Sequence, residues 1–212
     1  MVNSASIVII DYGSGNLRSV AKAFERVASN VVVSADARSL ESASHIVLPG
    51  VGAFGDCMAG LCAIPDMLAT LNEQVRVRGK WFLGVCVGMQ MLFEVGHEHG
   101  VHKGLGWLSG DVVPLSSLIP QPSSLKIPHM GWNELQIKQQ SPLLAGIKTG
   151  DHAYFVHSYY AKLADDKNLL ATTEYGGDIT AIVGKDNIFA TQFHPEKSQK
   201  TGLQIIENFV RL

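Results

Sequence analysis

The ten residues Trp81-Phe82-Leu83-Gly84-Val85-Cys86-Val87-Gly88-Met89-Gln90 decide the fold. Trp81–Val85 is a short apolar run of the kind that forms a strand buried on both faces. Met89, Met91, Leu92 and Phe93 supply the apolar mass of a helix behind it. Between them, Gly84-Val85-Cys86-Val87-Gly88 has the shape of a strand–turn–helix nucleophile elbow, G-x-S-x-G, with cysteine in place of serine. Such a turn crowds any side chain two residues either side of the nucleophile, and glycine at both places removes the clash. The turn puts the sulfur at a helix N-terminus, where the positive end of the dipole favours the reactive thiolate. The backbone N–H of Val87 then points to where an oxyanion would develop. The pentapeptide by itself also fits a buried structural cysteine, a common place for free thiols.

Working outward, Ser6–Ile10, Val31–Val33 and His45–Leu48 read as further strands. The three- and four-residue spacing of Leu17, Val20, Ala21, Phe24 and Val27 predicts a helix, and a second runs from Asp56 to Val77, interrupted at Pro65. Strands alternating with helices imply β-α-β units and a parallel sheet. After Gly104 the pattern changes. Trp132–Ile137, Ala153–Tyr160, Leu169–Thr173, Ile179–Val183 and Ile188–Phe193 are strand candidates, with hairpin turns at Gly176-Gly177 and Lys185-Asp186-Asn187. Pro114–Pro128 reads as a long surface loop, and Ser198 opens a helix carrying Leu203, Ile206, Phe209 and Val210. The expected fold class is α/β: a three-layer domain over 1–212, its central sheet mostly parallel and flanked by helices, with an antiparallel C-terminal portion.

A cysteine nucleophile needs a base, and the base needs an orienting group. Gln192-Phe193-His194-Pro195-Glu196 supplies both. Pro195 biases His194 towards extended backbone, and positions two apart in extended chain face the same way. Glu196 can then accept one imidazole N–H and leave the other ring nitrogen for Cys86.

Two other motifs compete with this one. Gly50, Gly52 and Gly55 match the dinucleotide fingerprint G-x-G-x-x-G. The acidic residue that fingerprint needs at the end of the next strand is missing, because that strand ends in Val85-Cys86. A glycine loop facing the elbow can instead donate a second oxyanion N–H, from Val51 or Gly52. His97, His99 and His102 are conceivable zinc ligands, but their spacing fits no metal motif, and a solvated loop is the plainer reading. No metal is expected.

With 17 Lys+Arg against 19 Asp+Glu, the net charge of −2 offers no basic footprint for nucleic acid. Three cysteines, an odd and sparse set, make no disulfide framework and suit a reducing compartment. No membrane-length apolar run and no signal-peptide pattern is visible, so the expected address is the cytoplasm.

Taken together, Gly84–Gln90 and Gln192–Glu196 resemble the two signatures of the class I, triad-type glutamine amidotransferases. Asp11-Tyr12-Gly13-Ser14-Gly15-Asn16-Leu17, Pro128-His129-Met130-Gly131-Trp132-Asn133, Tyr154-Phe155-Val156-His157-Ser158-Tyr159 and His194-Pro195-Glu196-Lys197-Ser198 narrow the resemblance. They are similar to the glutaminase subunits of imidazole glycerol phosphate synthases. The one departure in the elbow is Val87, where leucine is usual.

The resemblance implies a glutaminase triad of Cys86, His194 and Glu196, with an oxyanion held by Val87 and the Val51 region. It implies glutamine contacts from Gly52, Gln90 and the backbone of Ser158 and Tyr159. It also implies a heterodimer with a (β/α)8-barrel cyclase subunit, which would receive the ammonia for histidine biosynthesis, and an interface near Asn16, Trp132 and Lys197. No cofactor is implied, and no second catalytic site for using ammonia is visible in this chain. Another cysteine hydrolase on the same elbow is the second reading, and a nucleotide-binding module the third.

Overall fold

In the computed structural model, residues 3–118 and 125–212 are described. The first half comprises β1 (Asn3–Ile10), α1 (Leu17–Glu25), β2 (Ala28–Ser34), α2 (Ser39–Ser42), β3 (His45–Gly50), α3 (Phe54–Ala63), α4 (Met67–Asn72), β4 (Trp81–Cys86) and α5 (Val87–Gln90). Short strands follow: β5 (Val95–Gly96), β6 (His102–Lys103), β7 (Gly110–Pro114), β8 (His129–Glu134) and β9 (Gln136–Ile137). The chain closes with β10 (His152–His157), β11 (Tyr159–Leu163), β12 (Leu169–Glu174), β13 (Asp178–Lys185), β14 (Ile188–Thr191) and α6 (Gln199–Val210).

Eight strands form the main sheet in the order β2-β1-β3-β4-β14-β13-β12-β9. The first five run parallel, and β13, β12 and β9 continue the sheet antiparallel. β14 is the seam, parallel to β4 and antiparallel to β13. β3 is buried along its whole length and β4 over all but its first residue, as expected for strands covered by helices on both faces. Phe24 of α1 and Phe209 of α6 meet edge-on at 6.2 Å, and His45 of β3 packs against Phe209 at 5.1 Å. That cluster joins the first and last helices of the chain across one end of β3.

Several expected elements differ in extent. The interruption expected at Pro65 in the helix over 56–77 is a sharp one: two helices lie bent 98° apart. The chain turns at Pro65 and at Asp66, whose φ is +59°, and a π-helical turn over Glu73–Val77 follows α4. The helix after Cys86 is one turn long, because Met91 and Leu92 leave the helix to begin the approach to β5. Trp132–Ile137 is split at Leu135, and Ala153–Tyr160 is split at Ser158, so that β10 pairs with β8 while β11 pairs with β7. β5, β6, β7 and β11 make a second, four-stranded sheet that the sequence pattern did not reveal. The strand expected over Ile188–Phe193 ends at Thr191. Of the expected loop over 114–128, residues 119–124 lie outside the described residues; Leu115–Ser117 is a 3-10 turn and the Ile127–Pro128 peptide is cis. Among the described residues, no single helix is long and apolar enough to cross a membrane.

Phe209→Ala removes a fully buried ring from the contact between α1, β3 and α6. It should cost about 3–5 kcal/mol, measured by urea denaturation, while a folded fraction keeps the geometry around Cys86.

Candidate active site

Cys86 ends β4 with φ +57° and ψ −113°, a backbone conformation that side-chain-bearing residues rarely adopt. The flanking glycines permit it. A Cβ at Gly88 would lie 1.8 Å from the Leu48 carbonyl oxygen, and one at Gly84 would lie 2.7 Å from the Gly88 carbonyl oxygen. The elbow is thus wedged against β3, whose Gly50 pairs in register with Cys86. Since α5 has a single turn, the helix dipole expected to act on the sulfur is small. Val87 is the first residue of that turn, so its N–H has no partner within the helix.

The base and its orienting group converge on the sulfur. His194 Nδ1 lies 2.9 Å from Glu196 Oε1, and His194 lines the same cavity as Cys86. Both side chains of the His194–Glu196 pair are almost fully buried. Glu196 does not continue an extended strand, as the sequence suggested. His194 is extended, and Pro195–Lys197 forms a 3-10 turn that brings the carboxylate back beneath the ring. Ser198 holds this turn: its hydroxyl donates to the His194 carbonyl at 2.7 Å and accepts the Tyr154 N–H at 2.9 Å. Ser198 therefore serves the site and makes no side-chain cap for α6. Burial alone would lower the His194 pKa, but the hydrogen bonds and charges of Cys86 and Glu196 outweigh it and raise the value to about 9.

These groups open on a cavity of about 390 Å3, lined also by Val51, Gly52, Gln90, Glu98, Ser158 and Tyr159. Gln90 is buried; its Nε2 donates to the Tyr159 carbonyl and to Gln192 Oε1, each at 3.0 Å. Gln192 Nε2 in turn lies 3.8 Å from Cys86 Sγ. Gln192 and Glu98 were not singled out from sequence. Alternation gives a signal for the first, two places before His194; nothing local marks the second, which sits in the histidine-rich loop. Glu98 Oε2 accepts the Phe54 N–H at 2.8 Å.

The structure gives the 50–55 glycines separate steric reasons. A Cβ at Gly50 would meet Tyr12 Oη at 2.7 Å and Gly88 N at 2.8 Å, and one at Gly55 would strike the His102 ring. Gly52 has φ +100°. The Val51 N–H is engaged by Ser14 Oγ at 3.3 Å, and the Val51 carbonyl accepts hydrogen bonds from the Ser14 hydroxyl and from Cys57 Sγ. The second oxyanion donor named from sequence is therefore already bonded elsewhere. His97 bonds Asp111 Oδ2 at 3.2 Å, and among the described residues no cluster of three metal-ligating side chains forms.

Of the three residues expected near an interface, Trp132 is 46% exposed and meets Tyr154 edge-on at 6.0 Å. Lys197 Nζ lies 6.0 Å from the centre of the same Tyr154 ring and lines the cavity. Asn16 stands apart from this pair at the start of α1, where its carbonyl accepts the Ser19 and Val20 N–H groups.

The family model "Glutamine amidotransferase class-I" matches residues 8–212. The chain belongs to the class I glutamine amidotransferases. Within this family it is 52% identical to "Imidazole glycerol phosphate synthase subunit HisH" of Brucella melitensis biotype 1, over 97% of this chain and 98% of that protein. It is 52% identical to the subunit of the same name from Rhodospirillum rubrum, with the same coverage. Among solved structures, PurLQS from Thermotoga maritima shares the fold with a TM-score of 0.75 at 20% identity, each chain covered to 98%. The glutaminase domain of Trypanosoma brucei CTPS with bound acivicin gives 0.64 at 15% identity, over 98% of this amidotransferase and 94% of that chain.

A raised His194 pKa has a definite consequence for stability. Its contribution is complete below the ordinary histidine pKa of about 6.5 and is lost as pH rises through about 9. Glu196→Gln should bring the His194 pKa down. Histidine NMR titration of the full chain reads the shift directly, and an unchanged pKa would remove Glu196 as a cause.

Proposed function

We propose that the whole chain, 1–212, acts as one glutaminase domain that hydrolyses glutamine to glutamate and ammonia at Cys86 and passes the ammonia to a partner subunit. The observation that carries this is the buried Cys86–His194–Glu196 constellation at the floor of an amino-acid-sized cavity. The reading of one domain is supported by a continuous core running from Ala5 to Val210.

Cys86 Sγ gives its proton to His194 and attacks the side-chain amide carbon of glutamine, and the C–N bond breaks as His194 passes that proton to the departing ammonia. The carbonyl oxygen, negative in the tetrahedral intermediate, takes the Val87 N–H and a second donor. Water then gives a proton to His194 and attacks the glutamyl thioester, releasing glutamate and regenerating the thiol. Glu196 keeps the imidazole in the tautomer both steps need. Gly52, Gln90 and the backbone of Ser158 and Tyr159 are the proposed contacts to glutamine. Glu98, with one carboxylate oxygen left over from its bond to Phe54, suits the substrate ammonium.

The second oxyanion donor is proposed to be Val51, once Ser14 releases it. Ser14 lies two residues before Asn16, one of the proposed interface positions, so docking near α1 bears on the same loop. The partner proposed is the (β/α)8-barrel cyclase subunit of an imidazole glycerol phosphate synthase. Exposed Met130 and Trp132 and the neighbouring Lys197 offer it an apolar patch with a charged rim. No cofactor or metal enters the scheme, and the cytoplasm is the proposed location.

Glutamate release should be weak for the chain alone and should rise strongly with the cyclase subunit and its nucleotide ligand. Cys86→Ala should abolish it while binding to the cyclase persists; glutamate release by that variant would refute the mechanism. Ser14→Ala should raise turnover of the chain alone, because the Val51 N–H loses its acceptor and the Val51 carbonyl loses the Ser14 donor. Unchanged basal turnover would separate Ser14 from the oxyanion loop.

A further inference from the structure

Two buried histidines outside the triad, His129 and His157, face each other as a register pair of β8 and β10. We infer that Asn133, His129 and His157 form a fixed proton-ordered relay that positions the cavity wall at Ser158–Tyr159 and, through it, Gln90. This inference rests on the glutaminase reading of the cavity.

The order of the protons follows from the partners. His157 Nδ1 lies 2.9 Å from the Tyr159 carbonyl oxygen, which only accepts, so this nitrogen carries the proton. Burial pushes the His157 pKa down to about 3, helped by the charges of His129 and His194, and the ring is therefore neutral near pH 7. Its Nε2 must then accept, and it does so from His129 Nδ1 at 3.0 Å. His129, lowered by burial to about 4, is neutral as well. Its Nε2 accepts from Asn133 Nδ2 at 3.2 Å. The Asn133 amide cannot turn over, because Nδ2 also donates to the Glu174 carbonyl at 2.8 Å and Oδ1 accepts the Glu134 N–H at 2.8 Å.

Every donor therefore points the same way, from β8 towards the cavity. The His129 ring plane is fixed independently, stacked between Phe155 at 4.8 Å and Tyr175 at 4.0 Å. At the far end, the Tyr159 carbonyl accepts from both His157 and Gln90, and Gln90 continues to Gln192 beside Cys86. A carbonyl held by two donors fixes the plane of the Tyr159–Tyr160 peptide, and with it the end of the adjoining Ser158–Tyr159 segment that lines the cavity and against which glutamine is proposed to lie. His157 lines the cavity, but its two ring nitrogens are taken by the Tyr159 carbonyl and by His129, so the histidines act as positioning residues.

The test is steady-state glutamate release by the full chain in complex with the cyclase subunit. His157→Leu removes the donor to Tyr159 and should raise the glutamine KM at least tenfold while kcat changes less than threefold. His157→Asn restores an N–H at the same distance from the main chain and should recover most of the KM. His129→Leu should raise KM in the same sense with His157 in place. An unchanged KM in either leucine variant, or no recovery with asparagine, overturns the relay. Imidazole 15N shifts of the unsubstituted chain supply a reading that needs no variant to fold: both rings should be neutral and protonated on Nδ1, and a proton on Nε2 of either overturns the assignment. Failure of the unsubstituted complex to release glutamate would instead refute the glutaminase reading, with the ring tautomers still deciding the relay's geometry.

Discussion

A single close approach, between the backbone at Gly88 and the carbonyl oxygen of Leu48, governs the architecture around the nucleophile. There is no room for even one carbon between them. The turn after β4 can therefore lie across the end of β3 only if residue 88 is glycine, and only by forcing Cys86 to positive φ. That strained residue is stable because its surroundings hold it on several sides. β3 and β14 flank β4, Tyr12 donates to the Pro49 carbonyl at 2.8 Å, and Gly50 leaves space for the Tyr12 hydroxyl. The placement of the Cys86 sulfur on the cavity and the glycine loop opposite it are two results of one packing requirement.

The second half of the site depends on a change of sheet direction. β14 pairs in parallel with β4 and antiparallel with β13, so residues just past its end arrive beside Cys86. The chain then leaves the sheet by a 3-10 turn, which is what folds Glu196 beneath His194. Ser198 ties that turn to β10, which carries Val156 and His157 of the cavity wall and leads into Ser158 and Tyr159. Base, orienting carboxylate and cavity wall thus share one set of hydrogen bonds.

The parallel half of the fold was legible because its strands are continuous apolar runs and its turns carry Gly or Pro. The triad was legible because each member sits in a short motif whose spacing has a steric reason. What escaped has physical causes too. β5 and β6 are two residues each, too short for periodicity to register. The breaks at Leu135 and Ser158 are changes of pairing partner within stretches that alternate without interruption, so only tertiary structure reveals them. Glu98 reaches the cavity from a loop whose composition looks merely solvated, and its purpose depends on the α3 N-terminus, 44 residues away in sequence. The state of the Val51 amide is set by the Ser14 hydroxyl, a side-chain bond that no pattern encodes.

The seam at β14 also has a bearing on the order in which the protein comes into being. Gln192 and Cys86 are 106 residues apart, and the strand that unites them is the last of the sheet to be synthesised. A domain emerging from the ribosome exposes its N-terminal part first. For most of translation the elbow cysteine has no imidazole beside it and no completed cavity, and pairing over such a span is slow to form. A nascent chain thus carries an undeveloped nucleophile, and the ability to release ammonia arrives only with the closing stretch of polypeptide.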